Sequence, residues 1–198
     1  MEYQLETDEQ GEVYHTLISF HDFIQRADSD IYNWKWAIIA LHNAVQGAMV
    51  VALRHTDGSG PFCEKRERKR WEHFEKTGEL KPIEGRLLSF LELYEKVKKK
   101  GKIQGQSSVF YEPPMNQDCA MERLNNFRNE FIHFSPKLWT VMLAGAPSLC
   151  LSILDLPKFL LKVCPSFGLH ENLTRECFEN LINEIEGTLK SLESKMRG

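Results

Sequence analysis

A short stretch near position 130 combines two residue types that can cleave a phosphodiester without a metal. Arg128 and His133 are separated by four residues, and Asn129 directly follows the arginine. Arginine stays charged and binds phosphate oxygens through two parallel hydrogen bonds. Histidine changes charge near neutral pH and can act as a general base or a general acid. The pair therefore supplies the two groups that metal-free phosphodiester cleavage needs, a proton carrier and a cation that stabilises the charge on phosphorus.

Helix geometry limits how one chain can use this pair. Residues five apart on a helix point in directions that differ by about 140°, so Arg128 and His133 do not share a face. Asn129 and His133, which are four apart, do share one. A two-fold homodimer brings the same surface of two chains together. We therefore expect a homodimer whose cleft holds both copies of Arg128, Asn129 and His133.

The helix around this pair has an unusual polar face. Its members are Glu122, Asn125, Asn126, Asn129 and His133. Asparagine is a mediocre helix former, so three on one face favour directed hydrogen bonds over simple solvation. Two alternatives stay open: an ordinary polar surface, and a helix-terminal His133 that bonds a last-turn carbonyl.

Other charged segments are weaker candidates. The same arginine–histidine spacing recurs from Arg68 to His73, and Arg66 precedes the same histidine with six residues between them. That segment is dense in both charge signs, which favours a solvated surface. Its cations, together with Trp71, are a secondary candidate for RNA phosphates and base stacking. A purer cationic cluster is a candidate RNA-binding site, with helix-end solvation as its alternative: Lys98, Lys99 and Lys100.

Three polar residues interrupt an otherwise apolar segment: His42, Asn43 and Gln46. Buried polar groups need hydrogen-bond partners. These residues either support the catalytic site or join two helices, and both interpretations stay open.

The run from Arg128 through Asn129 to His133 resembles the Arg-x(4–6)-His motif of the HEPN family, in the form with a polar residue after the arginine. The context is also similar, because the motif ends a late helix and an apolar central helix containing 40–44 precedes it. The resemblance covers about residues 10–195. It implies a dimeric, metal-independent endoribonuclease that leaves a 2′,3′-cyclic phosphate, with Arg128 and His133 catalytic and Asn129 supporting.

Many HEPN proteins are toxins or antiviral effectors paired with a nucleotidyltransferase-type antitoxin, so the resemblance implies such a partner besides RNA. The alternative is a non-catalytic helical dimer that binds a protein partner or a nucleotide. A positive groove would favour the first. Neither a cofactor nor a metal is expected, because the sequence has no glycine-rich phosphate loop and no zinc-ligand spacing.

Helical periodicity predicts an all-α bundle of six or seven helices in a single domain, 1–198. We expect a first helix around Val13 to Ile24, helices over about 31–55, 62–76, 117–134, 136–164 and 169–196, and a fourth helix that follows Gly85 and ends at 98–101, with breaks near Pro147 and Pro157. The apolar stripe of the first is Val13, Leu17, Phe20 and Ile24, and that of the fourth is Leu87, Leu88, Leu91, Tyr94 and Val97. The helix over 31–55 is apolar almost all round and is expected at the centre.

The remaining segments and the composition complete the expectations. Residues 1–10 are expected to be flexible, and 101–116 form a long loop that is functional or mobile, with a short hairpin through Ile103 and Tyr111.

A net charge of −3 excludes a basic field over the whole protein. Five cysteines without a C-x-x-C pair indicate free thiols and a cytoplasmic location. Apolar runs interrupted by polar residues or proline are expected in the core rather than in a membrane.

Overall fold

The computed structural model describes residue 5 and residues 7–81, 86–133, 140–168 and 173–197. These residues form seven α-helices and no strand, which confirms the predicted all-α bundle. The helices are α1 (Glu9–Arg26), α2 (Asn33–Leu53), α3 (Glu64–Thr77), α4 (Phe90–Val97), α5 (Gln117–His133), α6 (Ala146–Val163) and α7 (Arg175–Arg197).

The central helix is α2, as its all-round apolar sequence predicts. It packs against α1, α4, α5 and α6, and Trp34, Leu41 and Met49 are buried along its length. Among the described helices, α2 alone is long and apolar enough to cross a membrane, and 67% of its apolar window is buried inside the bundle. Its place in the core accounts for this composition.

The first helix lies along α2 through the predicted stripe. Val13, Leu17 and the two residues that continue the stripe are buried. The two helices approach closely because Gly47 has no side chain: a Cβ there would lie 2.7 Å from Cγ2 of Val13. The helix begins within the segment predicted to be flexible, because the Asp8 carboxylate caps it by accepting a hydrogen bond from the Gly11 amide (2.7 Å).

The fourth helix begins later than its predicted apolar stripe. It starts at Phe90, because Ser89 and Glu92 form a capping box in which the Ser89 amide donates to the Glu92 carboxylate (2.8 Å). This start determines which side faces the core. The buried residues are Phe90, Leu93, Tyr94 and Val97, whereas Leu87 is exposed and Leu88 and Leu91 are half-buried. The predicted stripe was therefore wrong at Leu87, whereas Leu88 and Leu91 pack against the edge of the core.

Two other helix starts also differ from the prediction. Residues 140–145 are not helical, so the helix expected from 136 begins only at Ala146, and Pro147 lies in its first turn, where proline is tolerated. Pro157 lies inside α6 without ending it. The last helix begins at Arg175 instead of 169, with the Thr174 hydroxyl accepting a hydrogen bond from the Cys177 amide (3.3 Å). Residues 134–139 and 169–172 lie outside the described part of the chain.

The loop 101–116 contains no strand, so the expected hairpin is wrong. Its backbone bonds instead reach helix ends: the Gln104 amide donates to the Ala52 carbonyl (2.8 Å) and the Tyr111 amide to the Val97 carbonyl (3.0 Å). Tyr111 is 4% exposed. The loop is a packed part of the bundle.

Candidate active site on α5

The fifth helix has a buried first half and a more open second half. Gln117, Ala120, Met121 and Leu124 are buried, and the Gln117 side chain donates to the Ser152 carbonyl of α6 (2.7 Å). These contacts fix the helix in the bundle. The four predicted asparagine and histidine positions follow this anchor, on the half that reaches the surface.

Arg128 leans toward the face that holds the histidine. Its Nη1 donates a hydrogen bond to Oδ1 of Asn129 at 3.1 Å, and Asn129 lies one helical turn before His133 on the same face. The contact partly offsets the angular separation expected for positions 128 and 133. The Nε of Arg128 is buried and has no acceptor among the described residues, which leaves a hydrogen-bond donor unsatisfied.

His133 is the last described residue of α5 and is exposed to solvent. No described residue forms a hydrogen bond with its ring, so the alternative in which it bonds a last-turn carbonyl is not observed. The predicted helix stop at Ser135–Pro136 lies outside the described residues. Within one chain, the structure therefore brings Arg128 and Asn129 into contact and leaves His133 exposed one turn further along the helix.

His42, whose role the sequence left open, lies under this part of α5. The residue is 2% exposed. Its Nε2 is 3.4 Å from Oδ1 of Asn125, and its ring stacks on Phe90 with 4.1 Å between centroids. Burial, and secondly the nearby charge of Arg128, lower the pKa of His42 to about 4, so the ring is neutral at pH 7.

His42 thus joins α2 to α4 and α5, and it places an uncharged ring near the candidate arginine. The Nδ1 of His42 is buried with no partner among the described residues. Sequence reasoning offered support of the catalytic site and a link between two helices as open interpretations of this histidine, but it did not identify Asn125 as the partner. The signal was the run from His42 through Asn43 to Gln46, which is polar in a helix that is otherwise core.

Asn43 and Gln46 line an open groove of about 730 Å³ between α1 and α2, and Arg128 lies on its edge. The charged residues around it are Asp8, Glu9, Glu12, Arg54 and Arg128. Glu9 and Arg54 form an ion pair. With three carboxylates against two guanidinium groups, the groove of a single chain is not positive.

The two residues of the competing arginine–histidine pair on α3 differ in their exposure to solvent. Arg68 is exposed, whereas His73 is half-buried and its Nε2 has no partner among the described residues. No hydrogen bond joins the two. The structure therefore shows no contact within this pair, and it shows none between Arg128, which is half-buried, and the exposed His133.

The predicted lysine cluster divides into two groups. Lys98 bonds the carboxylates of Glu95 (2.5 Å) and Asp118 (3.2 Å), and its ammonium lies 4.7 Å from the centroid of the Tyr94 ring. It therefore connects α4 to α5. Lys99 and Lys100 are exposed, so they alone remain accessible to a ligand.

In the described ranges, no group of three or more His, Cys, Asp or Glu side chains is arranged to hold a metal ion.

A comparison of the chain with family models, curated proteins and solved structures finds no significant match.

Proposed function

We propose that the chain is a metal-independent endoribonuclease of the HEPN type that acts as a homodimer. The observation that carries this proposal is the hydrogen bond from Arg128 to Asn129, next to the exposed His133. It supports a site in which a fixed cation lies beside an accessible proton-transfer group. A cytoplasmic toxin or antiviral role, with a nucleotidyltransferase-type antitoxin, belongs to the same proposal.

The reaction needs two proton transfers and one charge stabiliser. One His133 takes the proton of the 2′-hydroxyl, and the 2′-oxygen attacks the neighbouring phosphorus. The bond from phosphorus to the 5′-oxygen breaks, and the partner's His133 gives a proton to that leaving oxygen. Arg128 stabilises the additional negative charge of the five-coordinate phosphorus. The products are a 2′,3′-cyclic phosphate and a free 5′-hydroxyl.

The direct test is cleavage of labelled single-stranded and hairpin RNAs in EDTA. Wild type is expected to cut, and His133→Ala is expected to lower the rate by ~10²–10⁴-fold, the usual contribution of a proton-transfer group. Arg128→Ala should also strongly lower the cleavage rate, because the charge on phosphorus is no longer stabilised. The matched control is His15→Ala, which removes another exposed helical histidine and should leave the rate unchanged.

His73→Ala tests the competing pair, and we expect it to cut at the wild-type rate. Cleavage that survives in His133→Ala but is lost in His73→Ala would assign the chemistry to α3. A shift of the cleavage product from a cyclic phosphate to a 5′-phosphate would also contradict the mechanism.

A specific observation favours a second candidate, a non-catalytic dimer that binds a protein partner. The groove beside Arg128 carries more carboxylates than cations, which suits a basic protein surface better than a nucleotide. Absence of cleavage by wild type across varied RNAs, with and without divalent metal, would support this candidate.

A further inference from the structure

The third helix stands apart from the bundle. None of its residues is fully buried, although the Arg70 side chain is only 8% exposed, and its backbone does not closely approach any other described helix. Side chains alone hold it in place: Glu67 accepts a hydrogen bond from the Gly60 amide (2.8 Å) and pairs with Lys96 (3.5 Å), and Arg70 pairs with Asp57 (3.7 Å). The helix therefore does not contribute to the core, and its exposed sides need another explanation.

A row of residues at a constant spacing of three winds around α3, because each step of three residues turns by about 60°; Lys65 and Phe74, at the two ends of the row, therefore point in opposite directions. Residues three apart are neighbours on a helix surface, and this row contains Lys65, Arg68, Trp71 and Phe74. It spans about 13 Å along the helix axis. Trp71 is 46% and Phe74 37% exposed, and their rings meet edge to face at 5.7 Å. We call this row the α3 ridge.

The cations of the α3 ridge are not neutralised by the carboxylates around them. Glu64 and Glu72 lie four residues before and after Arg68, yet neither forms an ion pair with it. Lys65 likewise has no ion pair with a described residue. Glu67 faces inward and is withdrawn from the surface. With six basic and four acidic residues, α3 has a net charge of +2 in a chain of net charge −3.

The residue types on α3 favour one class of ligand. The helix contains no leucine, isoleucine, valine or methionine, which are the aliphatic anchors that a helix face inserts into a protein groove. Exposed rings next to unpaired cations are instead the combination that binds single-stranded nucleic acid, because rings stack on bases and cations meet phosphates.

We propose that the α3 ridge binds single-stranded RNA, with a base stacked on Trp71 and the adjoining phosphates held by Arg68 and Lys65. This inference rests on the proposed function, since the bound strand is the substrate that the α5 site would cut. The ridge is a binding surface and takes no part in the chemistry.

The test uses a fluorescein-labelled 12-nucleotide RNA of mixed sequence with 2′-O-methyl groups. This probe cannot be cleaved because it lacks the attacking hydroxyl, so binding is measured by anisotropy independently of catalysis. Trp71→Ala is expected to weaken binding by about 5- to 100-fold, the effect of losing one stacked base. Trp71→Phe, which keeps a ring, should recover most of the affinity.

Matched controls separate the α3 ridge from general effects. Trp36→Ala removes a tryptophan of α2 that is 50% exposed, and it should leave binding unchanged. Arg68→Gln should reduce the salt dependence of log K by about one phosphate contact. Lys162→Gln, at an exposed position of α6, should not. Circular dichroism is expected to stay the same in all variants, because every substituted residue is exposed.

Three results would overturn the proposal. They are no binding of the probe by wild type at 0.1 M salt, equal binding by wild type and Trp71→Ala, and an equal loss in Trp36→Ala. Dimer dissociation in Trp71→Ala with unchanged RNA binding would assign the ridge to self-association. Probe binding through Trp71 without cleavage of natural RNA would contradict only the proposed function, whereas cleavage that is indifferent to Trp71 would contradict only this inference.

Discussion

At the scale of single residues, the most constrained group of the candidate site is His42. Its ring is enclosed between Asn125 and Phe90, and its pKa is lowered to about 4. The unfolded chain has an ordinary histidine with a pKa near 6.5. Between pH 6.5 and pH 4 the unfolded state therefore binds more protons than the native state, and the free energy of unfolding falls as the pH is lowered.

We expect His42 to contribute on the order of 3 kcal/mol to this loss between pH 7 and pH 4. The loss begins near pH 6.5 and levels off near pH 4, where the buried ring also becomes protonated. Urea unfolding at several pH values measures it. His42→Gln should flatten the curve in this window, and His15→Ala should not. A slope that is unchanged in His42→Gln would contradict the assignment.

The charge of Arg128 provides an internal check on the same residue. Because this charge helps to lower the pKa of His42, Arg128→Ala should shift the NMR titration of the His42 ring to higher pH. Arg128→Lys should leave it near the wild-type position. An unchanged titration in Arg128→Ala would mean that burial alone sets the pKa.

The sequence predicted the α5 candidates but not how they are connected to the rest of the chain. The spacing of Arg128, Asn129 and His133 is visible in a linear pattern, because all three lie on one helix. The contact from His42 to Asn125 joins positions 83 residues apart. Such a pair depends on how α2 crosses α5, and periodicity on either helix does not contain that information.

At the scale of helices, periodicity predicted which elements exist but was less reliable about where they begin. The stripe of α1 was correct because spacings of three and four, from Val13 to Ile24, match one face of a helix. The start of α4 was wrong because the capping box at Ser89 takes precedence over apolar residues on its N-terminal side. The start of α6 was wrong because Pro136 suits a first helical turn, but so does Pro147.

The attachment of α3 provides a prediction about this element alone. Partial burial works to raise the pKa of Asp57, but hydrogen bonds from Ser59 and the charge of Arg70 hold it below the ordinary value of 3.8. A lowered carboxylate pKa stabilises the native contact above the unfolded pKa, and the contact is lost as the pH falls through the folded value. The attachment should therefore loosen only below about pH 3.8.

Asp57→Asn should reproduce this loosening at pH 7. We expect faster hydrogen exchange across α3 and unchanged exchange in α2, since α3 does not pack against α2. Wild type should acquire the same pattern below about pH 3.8, after correction for intrinsic exchange rates. The control Asp28→Asn removes the ion pair with Lys195 and should leave α3 unaffected. Slow exchange of α3 in Asp57→Asn would show that other contacts hold it.

At the scale of the whole molecule, the proposed chemistry requires two chains. Analytical ultracentrifugation at micromolar concentration should show twice the mass of the 23.0 kDa chain. Asn129→Arg should shift the equilibrium to monomer, because a two-fold axis places the new charge opposite its own copy. Asn180→Arg, at an exposed position of α7, should not. A wild-type monomer, or a dimer that tolerates Asn129→Arg, would contradict the composite site.

The backbone hydrogen bonds from the loop 101–116 to the ends of helices have a consequence for synthesis of the chain. The Ala52 carbonyl, near the end of the central helix, receives its hydrogen bond from Gln104, which leaves the ribosome 52 residues later. The Val97 carbonyl likewise cannot receive its hydrogen bond until Tyr111 has been synthesised. A nascent chain that ends before position 104 therefore cannot complete the end of α2, even though α1 and α2 have both emerged. We expect the first half of the protein to stay incompletely folded during translation until this loop is made.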